Sequence, residues 1–302
     1  METRVLPYDD QATAAAARLI LAGEIVAVPT ETVYGLAADA TNAGAVARIY
    51  DAKGRPSFNP LITHVPDLAS AERIGEFPEE ARALARQYWP GPITLVVPLR
   101  ETSGIASIVT AGLPNVALRV PGHPAIRALL HAVGRPLAAP SANASGAISP
   151  TRAEHVLKSL GGRIPLIIDA GPTERGLEST IVAATGGPLR LLRSGPIEIA
   201  AAEVAQSSEI EAPGQLASHY APSKPVRINA VHANPDEFLI GFGPVPGDVS
   251  LSPSGDLVEA AARLFDLLHE ADASAMPRIA VAKVPAKGLG VTINDRLRRA
   301  VA

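Results

Sequence analysis

The sequence has no cysteine, few aromatic residues and little net charge, and each of these shortages excludes a class of function. Without cysteine the chain has no disulfide bond, no thiolate nucleophile and no cysteine-based zinc site, which agrees with a cytoplasmic location. Aromatic residues make up 4% of the chain, too few for a prominent platform that stacks single-stranded nucleic acid. The formal net charge is -3, so any binding of nucleic acid must rest on a local basic patch.

Signals for export, membrane insertion and the common nucleotide folds are also missing. Glu2, Asp9 and Asp10 make the first residues acidic, and no basic stretch followed by an apolar stretch indicates a signal peptide. No apolar run reaches the roughly 20 residues that a bilayer-spanning helix needs. The P-loop, the dinucleotide-binding glycine fingerprint, the hydrolase elbow and zinc-site histidine spacings are absent. We therefore expect no membrane contact and no protein-held metal, and a bound nucleotide would need a less common architecture.

The distribution of apolar residues predicts an α/β fold. Hydrophobic residues make up 47% of the 302 residues, enough for one large domain or two smaller ones. The predicted strands lie at 24–29, 60–65, 93–98, 116–120, 136–139, 164–170, 180–184 and 189–193. The predicted helices lie from about residue 10 to residue 22 and at 43–52, 79–88 and 124–133. Because strands and helices do not alternate strictly, we expect a mixed sheet rather than a purely parallel one.

The composition changes near residue 198. The stretch 199–225 is rich in alanine, serine, glutamate and proline, which predicts a linker. After it come predicted strands at 226–231, 238–242 and 279–284 and predicted helices at 256–271 and 292–301. We therefore predict an N-terminal domain over 1–198, a linker over 199–225 and a small C-terminal α/β domain over 226–302.

Three polar segments interrupt the N-terminal domain. Pro29–Leu36 combines two hydroxyls, a carboxylate and a tyrosine at the end of an apolar strand. Lys53–Leu61 contains two cations, an amide and two prolines, and Ser141–Thr151 is rich in serine. Rigid loops with many donors and cations are what a phosphate or a nucleotide requires from a protein.

Each candidate side chain also has an ordinary structural interpretation. Lys53 and Arg55 can be solvated cations that complement a helix C-terminus, although Pro56 and Pro60 make that segment stiffer than such a role requires. Arg119 lies inside an apolar strand, where it either points to solvent or binds the carboxylate of a small substrate.

The remaining candidates leave similar alternatives. His64 can be a buried histidine at a strand end, and Ser179 can belong to a simple turn before a strand. Thr151 can cap the helix that begins near Arg152, or it can line an anion site at that helix terminus. Tyr220 can be a packing anchor of the linker.

Taken together and in this order, these segments resemble the motifs of the YrdC-like threonylcarbamoyl-AMP synthases. The resembling segments are Pro29–Leu36, Lys53–Leu61, Arg119–Pro121, Ser141–Asn143 with Ser149–Thr151, Ser179–Ile181 and Leu192–Gly195. The tail, with Pro213–Gly214, His219–Pro222 and Gly288–Leu297, resembles the longer branch of that family. The resemblance implies a YrdC-like twisted mixed sheet flanked by helices, a linker and a small Rossmann-like C-terminal domain.

The resemblance also implies a reaction. L-Threonine, bicarbonate or CO2, and ATP with Mg2+ would give L-threonylcarbamoyl-AMP and pyrophosphate, which makes the chain a nucleotidyltransferase. The product would serve the threonylcarbamoyladenosine (t6A) modification of tRNA at position 37. The implied partners are the downstream tRNA threonylcarbamoyl-transferase machinery and, through weak binding, tRNA itself.

Carried over position by position, the resemblance implies two neighbouring pockets. The L-threonine pocket would be formed by Thr32, His64, Arg119, Ser141 and Ser179, with Arg119 holding the carboxylate. The ATP site would be formed by Arg55, Asn59, Asn115, Asn143, Thr151, Arg193 and Tyr220, the last reaching in from the linker. Lys53 and Arg55 would promote the transfer itself. We expect no protein general base, and Glu31 beside the site has no assigned role.

Other functions compete with this interpretation. A non-catalytic RNA-binding module could use the same groove, but the acidic net charge and the few aromatic residues argue against it. The carbamoyltransferase branch involved in hydrogenase maturation shares the domain but adds cysteine-rich zinc modules, which a chain without cysteine cannot form. A general translation or ribosome-assembly factor is neither supported nor excluded by the sequence.

Overall fold

A computed structural model describes residues 2–200, 202–204, 210–215 and 220–301 of the chain. His219 of the quoted linker motif lies outside the described residues. In chain order the described elements are β1 (Arg4–Pro7), α1 (Asp10–Leu21), β2 (Val26–Pro29), β3 (Tyr34–Asp39), α2 (Ala43–Lys53), β4 (Ile62–His64), α3 (Leu68–Ile74), α4 (Glu79–Tyr88), β5 (Ile93–Pro98), β6 (Asn115–Arg119), α5 (Pro124–Val133), β7 (Leu137–Ala138), α6 (Ala153–Leu160), β8 (Leu166–Asp169), β9 (Thr180–Ala183), β10 (Arg190–Arg193), β11 (Glu203–Val204), β12 (Val226–Ala230), β13 (Glu237–Gly241), β14 (Val249–Ser250), α7 (Leu257–Ala273), β15 (Arg278–Ala282) and α8 (Leu289–Val301).

Local sequence signals explain where several helices begin and end. The Asp9 carboxylate accepts the backbone N–H of Ala12 at 2.6 Å and so caps α1. Asn42 caps α2 in the same way, and α2 ends where Gly54 takes the left-handed conformation with φ 58°. The sequence therefore positions Arg55 one residue beyond a sharp helix stop, at the start of the rigid polar loop.

The N-terminal domain is built on one mixed sheet, as the irregular alternation of elements predicted. Among the described residues the strand order is β1-β8-β2-β3-β7-β4-β6-β5-β9-β10-β11. β4 runs parallel to β6, whereas β5 runs antiparallel to β6 and parallel to β9. This arrangement brings the C-terminal ends of β4 and β6 and the N-terminal end of β9 to the same edge of the sheet.

Successive side chains of a strand point to opposite faces of the sheet, so the sheet carries a hydrophobic core layer on each face. Val26 and Val28 of β2 pack against α1 and α5, while Ala27 packs on the other face with α2 and α6. Further along the sheet, α3 and α4 cover the face that carries Leu118 of β6. Ala117 faces the opposite way, into a small cluster formed by Ile62, Val96, Ala117, Ile181, Ala183, Leu192 and, from the linker, Ala212.

The C-terminal domain is a four-stranded parallel sheet with the order β12-β15-β13-β14, packed on α7 and α8. Its core also takes in Val33, Ile148, Leu177 and Tyr220, so that it is continuous with the N-terminal domain. Arg152 of that domain makes a bidentate ion pair with Asp266 of α7 at 2.7 and 3.0 Å. Among the described residues, no helix combines the length and the apolarity that crossing a membrane would need.

Several local expectations need correction. Residues 34–36 are not part of a loop, because Tyr34–Asp39 form β3, which pairs antiparallel with β2; only the turn between the two strands is irregular. Thr151 does not cap α6, whose N-cap is Arg152 without a side-chain cap hydrogen bond. Within the stretch predicted as a linker, Glu203–Val204 pair in parallel with β10. The domain boundaries themselves stay a prediction.

Candidate active site

One cleft brings together eight of the side chains that the sequence singles out. It encloses about 520 Å³, including its open mouth. The predicted site residues that line it are Thr32, Arg55, His64, Arg119, Ser141, Ser179, Arg193 and Tyr220. Residues from six of the motif segments, together with His64 and a linker residue, therefore meet at one place, although they are spread over nearly 190 positions of the chain.

Strand geometry explains why three of these side chains share a face. Side chains two residues apart on a strand point to the same side of the sheet. His64 therefore follows Ile62, and Arg119 follows Ala117, onto the face opposite α3 and α4. The register pairs His64 directly with Arg119. Ser179, one residue before β9, reaches the same place and contacts the hydroxyl of Thr94 on β5 at 2.8 Å.

The turn between β2 and β3 presents its own hydroxyls to the cleft. The Thr30 hydroxyl donates to the backbone carbonyl of Val33 at 2.7 Å and accepts the backbone N–H of Thr32 at 3.1 Å. The two threonine hydroxyls lie 2.7 Å apart. These hydrogen bonds within the turn hold Thr32 in place without help from a regular strand ladder.

Arg119 is buried, with 4% of its side chain exposed, so it does not point to solvent. It donates to the Glu31 carboxylate at 2.6 Å, to the Thr32 hydroxyl at 3.1 Å and to the Gly91 carbonyl at 3.3 Å. These contacts occupy three of the five N–H groups of a guanidinium and leave one on each terminal nitrogen. Arg119 can therefore donate to a carboxylate in the cleft with two parallel hydrogen bonds.

Glu31 keeps Arg119 in position and stays ionised. Burial alone would raise the pKa of the Glu31 carboxyl, but the charge and hydrogen bond of Arg119 and the backbone N–H of Gly122 hold the pKa below its usual value. A buried guanidinium with one permanent carboxylate partner is fixed in orientation and still presents free donors to a ligand.

His64 is a neutral imidazole at the floor of the cleft. Burial, reinforced by the charge of Arg119, lowers the pKa of His64 to about 3. Neither ring nitrogen makes a hydrogen bond of good geometry among the described residues, although the backbone of Ile62 and Leu137 lies close enough to raise the pKa of the ring slightly against the effect of burial. An uncharged ring with one donor and one acceptor is suited to a hydroxyl or another neutral polar group, and buried polar groups are rarely left without a partner.

Two further arginines form another wall of the cleft. Arg55 donates to the carbonyls of Asn59 at 3.2 Å and Pro60 at 2.9 Å, which fixes its guanidinium against its own loop. Burial lowers the pKa of Arg55 to about 10, so the group remains cationic at neutral pH. Arg193 donates to the carbonyl and to the hydroxyl of Ser179, each at 3.1 Å, and is also buried.

The linker closes over this wall. The carbonyl of Pro213 accepts a hydrogen bond from Arg193 at 3.3 Å. Gly214 has φ 88°, and a Cβ there would lie 2.8 Å from Cδ of Arg193, so glycine is required for this approach. Tyr220 lies beyond it with φ 65°, fully buried, its ring 5.5 Å from that of Phe265 on α7.

Lys53 and Asn143 lie behind the cleft wall. The Lys53 ammonium donates to the backbone carbonyls of Ser141 and Asn143 and so ties the serine-rich loop to the end of α2. Burial, with the charge of Arg55, lowers the pKa of Lys53 well below its usual value. The Asn143 side-chain amide donates to the carbonyls of Ala144 and Ala147, both at 2.8 Å, while its oxygen has no partner among the described residues.

Asn59, Thr151 and Asn115 are also outside the cleft lining. Asn59 is buried, and neither polar atom of its side chain has a partner among the described residues. Thr151 contacts the His155 ring through its backbone N–H at 3.3 Å and its hydroxyl at 3.4 Å. Asn115 begins β6, four residues and therefore about 13 Å from Arg119 along the strand.

Sequence reasoning overlooked two charged residues that contact this region. Glu178 lines the cleft immediately before Ser179, and Arg296 of α8 reaches it from the C-terminal domain at 2.8 Å. Glu178 directly precedes the segment Ser179–Ile181, and Arg296 lies within the segment Gly288–Leu297. Their positions in or next to these motifs could have identified them.

The carboxylates of the cleft do not form a metal site. Glu31 is paired with Arg119 and Glu178 with Arg296. Across the described part of the chain, no group of three or more histidine, cysteine, aspartate or glutamate residues is placed to hold a metal ion.

Comparison with known proteins gives two family matches. The Sua5/YciO/YrdC model, described as "Telomere recombination", matches residues 18–195. The Sua5 C-terminal model, described as "Threonylcarbamoyl-AMP synthase, C-terminal domain", matches residues 177–302. The two matches together span both domains of the chain.

Individual relatives agree with the family matches. The threonylcarbamoyl-AMP synthase of Bacillus subtilis (strain 168) is 38% identical, over 99% of this chain and 95% of the relative. That of Pyrococcus abyssi (strain GE5 / Orsay) is 40% identical, over 94% of this chain and 92% of the relative. The crystal structure of P. abyssi Sua5 complexed with L-threonine superposes with a TM-score of 0.90 at 36% identity, covering 100% of this chain and 98% of that chain.

Proposed function

The chain belongs to the Sua5/YciO/YrdC family in its two-domain Sua5 form, and we propose on that basis that it is an L-threonylcarbamoyladenylate synthase. It forms threonylcarbamoyl-AMP and pyrophosphate from L-threonine, bicarbonate or CO2, and ATP, for the t6A modification of tRNA at position 37. We place this reaction in the cytoplasm, where its product would be consumed by tRNA threonylcarbamoyl-transferase machinery. Any direct contact with tRNA would be weak because the net charge of the chain is -3.

The observation that carries the proposal is the presence of three buried arginines in one cleft. Arg119, Arg55 and Arg193 all line it, and the charge of Arg193 adds to burial in lowering the pKa of Arg55. Mutual repulsion of buried cations costs free energy that a bound anion recovers. Threonine brings one carboxylate and ATP brings a triphosphate, so two anionic substrates side by side match the arrangement.

L-Threonine is the substrate assigned to the Arg119 side. The two unoccupied N–H groups of Arg119 would take its carboxylate, and the neutral His64 ring would contact its hydroxyl. Thr32, Ser141 and Ser179 supply further hydroxyls around the same space. The P. abyssi relative, in its crystal structure, is complexed with L-threonine.

ATP is the substrate assigned to the opposite wall. Arg55 and Arg193 would bind the phosphates, and Tyr220 would cover the nucleotide from the linker side. Asn59 and Asn143 each have a buried polar side-chain atom without a hydrogen-bond partner among the described residues. We propose that these atoms bind the nucleotide, because buried polar groups are rarely left without a partner. Asn115 and Thr151, which like Asn59 and Asn143 lie outside the cleft lining, complete the proposed ATP contacts. The metal ion enters as part of the substrate, as Mg2+ bound to the phosphates of ATP.

The chain's contribution to catalysis is positioning and charge. The neutral amine of threonine attacks CO2 and loses one proton to solvent, which gives a carbamate. A carbamate oxygen then attacks the α-phosphorus in line with departing pyrophosphate. Because the cleft holds the carbamate and ATP together, the transfer does not depend on a bimolecular encounter between them. The fixed cations stabilise the negative charge on the phosphates. Lys53 supports this indirectly by holding the Ser141–Asn143 loop in place, and Arg55 would contact the phosphates directly. No step requires a protein nucleophile.

Pyrophosphate release from ATP tests the proposal. Purified protein with Mg2+ and bicarbonate should release pyrophosphate only when L-threonine is present, and both serine and valine should support much slower release. Valine tests the hydroxyl contact and serine tests the methyl contact. Equal release with all three amino acids, or release without bicarbonate, would contradict the assignment.

A further inference from the structure

Arg296 is the most deeply buried charged side chain described in the C-terminal domain, and besides the neighbouring Asp295 it contacts the N-terminal domain and the linker. Its side chain has 0% exposure although it projects from α8. Nε donates to the Glu178 carboxylate and Nη2 donates to the backbone carbonyl of Ser194, both at 2.8 Å. Its guanidinium carbon also lies 5.1 Å from the centre of the Tyr220 ring, within cation–π range.

The contacts of Arg296 outside α8 are each with a cleft residue or with a residue next to one. Glu178 precedes Ser179, Ser194 follows Arg193, and Tyr220 lines the cleft directly. Ser179 and Arg193 are in turn joined by two hydrogen bonds of 3.1 Å. One guanidinium from the C-terminal domain thus contacts the three chain segments that carry Ser179, Arg193 and Tyr220.

Arg296 also controls the charge of that wall. Glu178 lines the cleft, and its other oxygen accepts a hydrogen bond from the Ser149 hydroxyl. Without Arg296, the buried carboxylate would lose its strongest partner and would turn to Arg193, whose charge it already feels. The triphosphate would then face a carboxylate, and Arg193 would be partly neutralised by a partner inside the protein.

We propose that Arg296 is a positioning residue for ATP. It holds the segments that carry Ser179, Arg193 and Tyr220 in their positions around the cleft, and it balances the negative charge of Glu178. The inference rests on the proposed function, because it assigns the Arg193 side of the cleft to the nucleotide. Arg119, Glu31 and His64 have no contact with Arg296 among the described residues, and Ser179 is the one residue of the threonine pocket next to its contacts, so we expect a much larger effect on ATP than on threonine.

Binding of two ligands to four proteins tests this inference. The affinities for α,β-methylene-ATP with Mg2+ and for L-threonine are measured by calorimetry on the full chain and on Arg296→Gln, Arg298→Gln and Glu178→Gln/Arg296→Gln. Arg298 is the matched control because it lies on the same helix, exposed to solvent. We expect Arg296→Gln to weaken nucleotide binding about tenfold or more, with threonine affinity within about twofold of the unmodified chain.

The double variant separates a charge effect from loss of structure. Replacing both members of the buried Arg296–Glu178 pair avoids leaving either charge uncompensated, and Asp295, the other carboxylate partner of Arg296, keeps its ion pair with Arg299. It should regain most of the nucleotide affinity, and it should fold even if Arg296→Gln does not. The inference would be overturned if Arg296→Gln bound the nucleotide with unchanged affinity, or if it lost affinity for both ligands equally. It would also be overturned if the double variant folded but regained no nucleotide affinity. If the unmodified chain bound no nucleotide at all, the proposed function would fail first, and the two failures are therefore distinguishable.

Discussion

At the scale of single residues, the cleft is defined by how each arginine is restrained. Arg119 is held by a carboxylate, whereas Arg55 is held by backbone carbonyls and Arg193 by a carbonyl and a hydroxyl. Charge balance therefore differs between the two sides of the cleft. The Arg119 side is nearly neutral without ligand, and the Arg55 and Arg193 side keeps an excess of positive charge for a more highly charged substrate.

Replacing Arg119 by lysine should impair threonine binding selectively. Lysine keeps the charge that Glu31 needs but loses the forked pair of donors that a carboxylate accepts. A charge-assisted hydrogen bond contributes about 1.5 to 3 kcal/mol, so the KM for threonine should rise about tenfold to hundredfold, with little change in the KM for ATP. Steady-state pyrophosphate release measures both constants. Arg86→Lys, on the exposed face of α4, is the matched control and should behave like the unmodified chain.

Arg55 should give the opposite pattern. Arg55→Ala removes a phosphate donor, so adenylate formation should fall below detection while the threonine affinity measured by calorimetry is retained. The fold should survive because α2 is terminated by Gly54 independently of this side chain. Circular dichroism and thermal unfolding verify that the variant is folded. A folded variant with a normal rate, or one that loses threonine binding as well, would refute the assignment of Arg55 to ATP.

The sequence predicted which residues gather in the cleft better than how they are held. An arginine inside an apolar strand usually points to solvent, and only the three-dimensional contact of Arg119 with Glu31 shows that it is buried as an ion pair. Lys53 was expected beside Arg55 at the phosphates, yet its ammonium contacts two backbone carbonyls about 90 positions away. The Arg296–Glu178 pair joins residues 118 positions apart, and local sequence patterns carry no information about such pairs.

At the scale of elements, the site depends on loops that approach one another closely. Gly195 follows β10 and packs on the backbone just before β9: a Cβ at Gly195 would lie 2.3 Å from the backbone nitrogen of Thr180. The absence of a side chain at Gly195 is therefore what lets Arg193 reach the backbone and hydroxyl of Ser179. Short irregular connections, and not only the strands, set the spacing of the nucleotide wall.

Gly195→Ala should separate these two loops. Overpacking of this kind typically costs about 1 to 3 kcal/mol, and here it would also break the Arg193–Ser179 hydrogen bonds. We expect a lower melting temperature and weaker nucleotide binding. Gly187→Ala is the matched control, because a Cβ at Gly187 meets no atom within 4 Å and its φ is not in the left-handed region. Equal effects of the two substitutions would contradict this account.

The sequence predicted the bounds of helices and strands correctly where one local pattern was much stronger than the others. α4 and α5, which have amphipathic patterns and prolines at their starts, have the bounds that their sequence predicted. β3 was missed because its glycine and the preceding hydroxyls indicate a turn, and pairing with β2 and β7 on both sides overrides that local preference. β1 was missed because it is short and mostly exposed, and it is defined by its parallel partner β8.

At the scale of the whole molecule, the two domains meet through charged and aromatic groups as well as apolar ones. His155 of α6 stacks on His269 of α7, with ring centres 3.8 Å apart. Arg152, Lys158, Asp266 and Asp272 surround the pair. Burial, opposed only in part by the aspartates, lowers the pKa of His155 to about 3 and that of His269 to about 4. Both rings are therefore neutral when the domains are docked.

Acid should lower the free energy of unfolding through the stacked pair His155 and His269. The unfolded histidines titrate near 6.5, so their stabilising contribution is complete above that pH and is lost as the pH falls from about 6.5 toward 4. Between pH 7 and pH 5 the free energy of unfolding should decrease by about 1 to 2 kcal/mol for each ring. The double variant His155→Gln/His269→Gln should show a smaller decrease in thermal unfolding experiments, whereas His232→Gln, at an exposed position, should follow the unmodified chain. A pH slope unchanged by the double variant would contradict this assignment.

The identity of the product tests the central claim most directly. The unmodified chain is incubated with ATP, Mg2+, L-threonine and carbon-13 bicarbonate, and the adenylate formed is identified by mass spectrometry. We predict threonylcarbamoyl-AMP that carries the carbon-13 label, formed together with an equal amount of pyrophosphate. Threonyl-AMP without the label, or pyrophosphate without any threonine-containing adenylate, would contradict the proposed function.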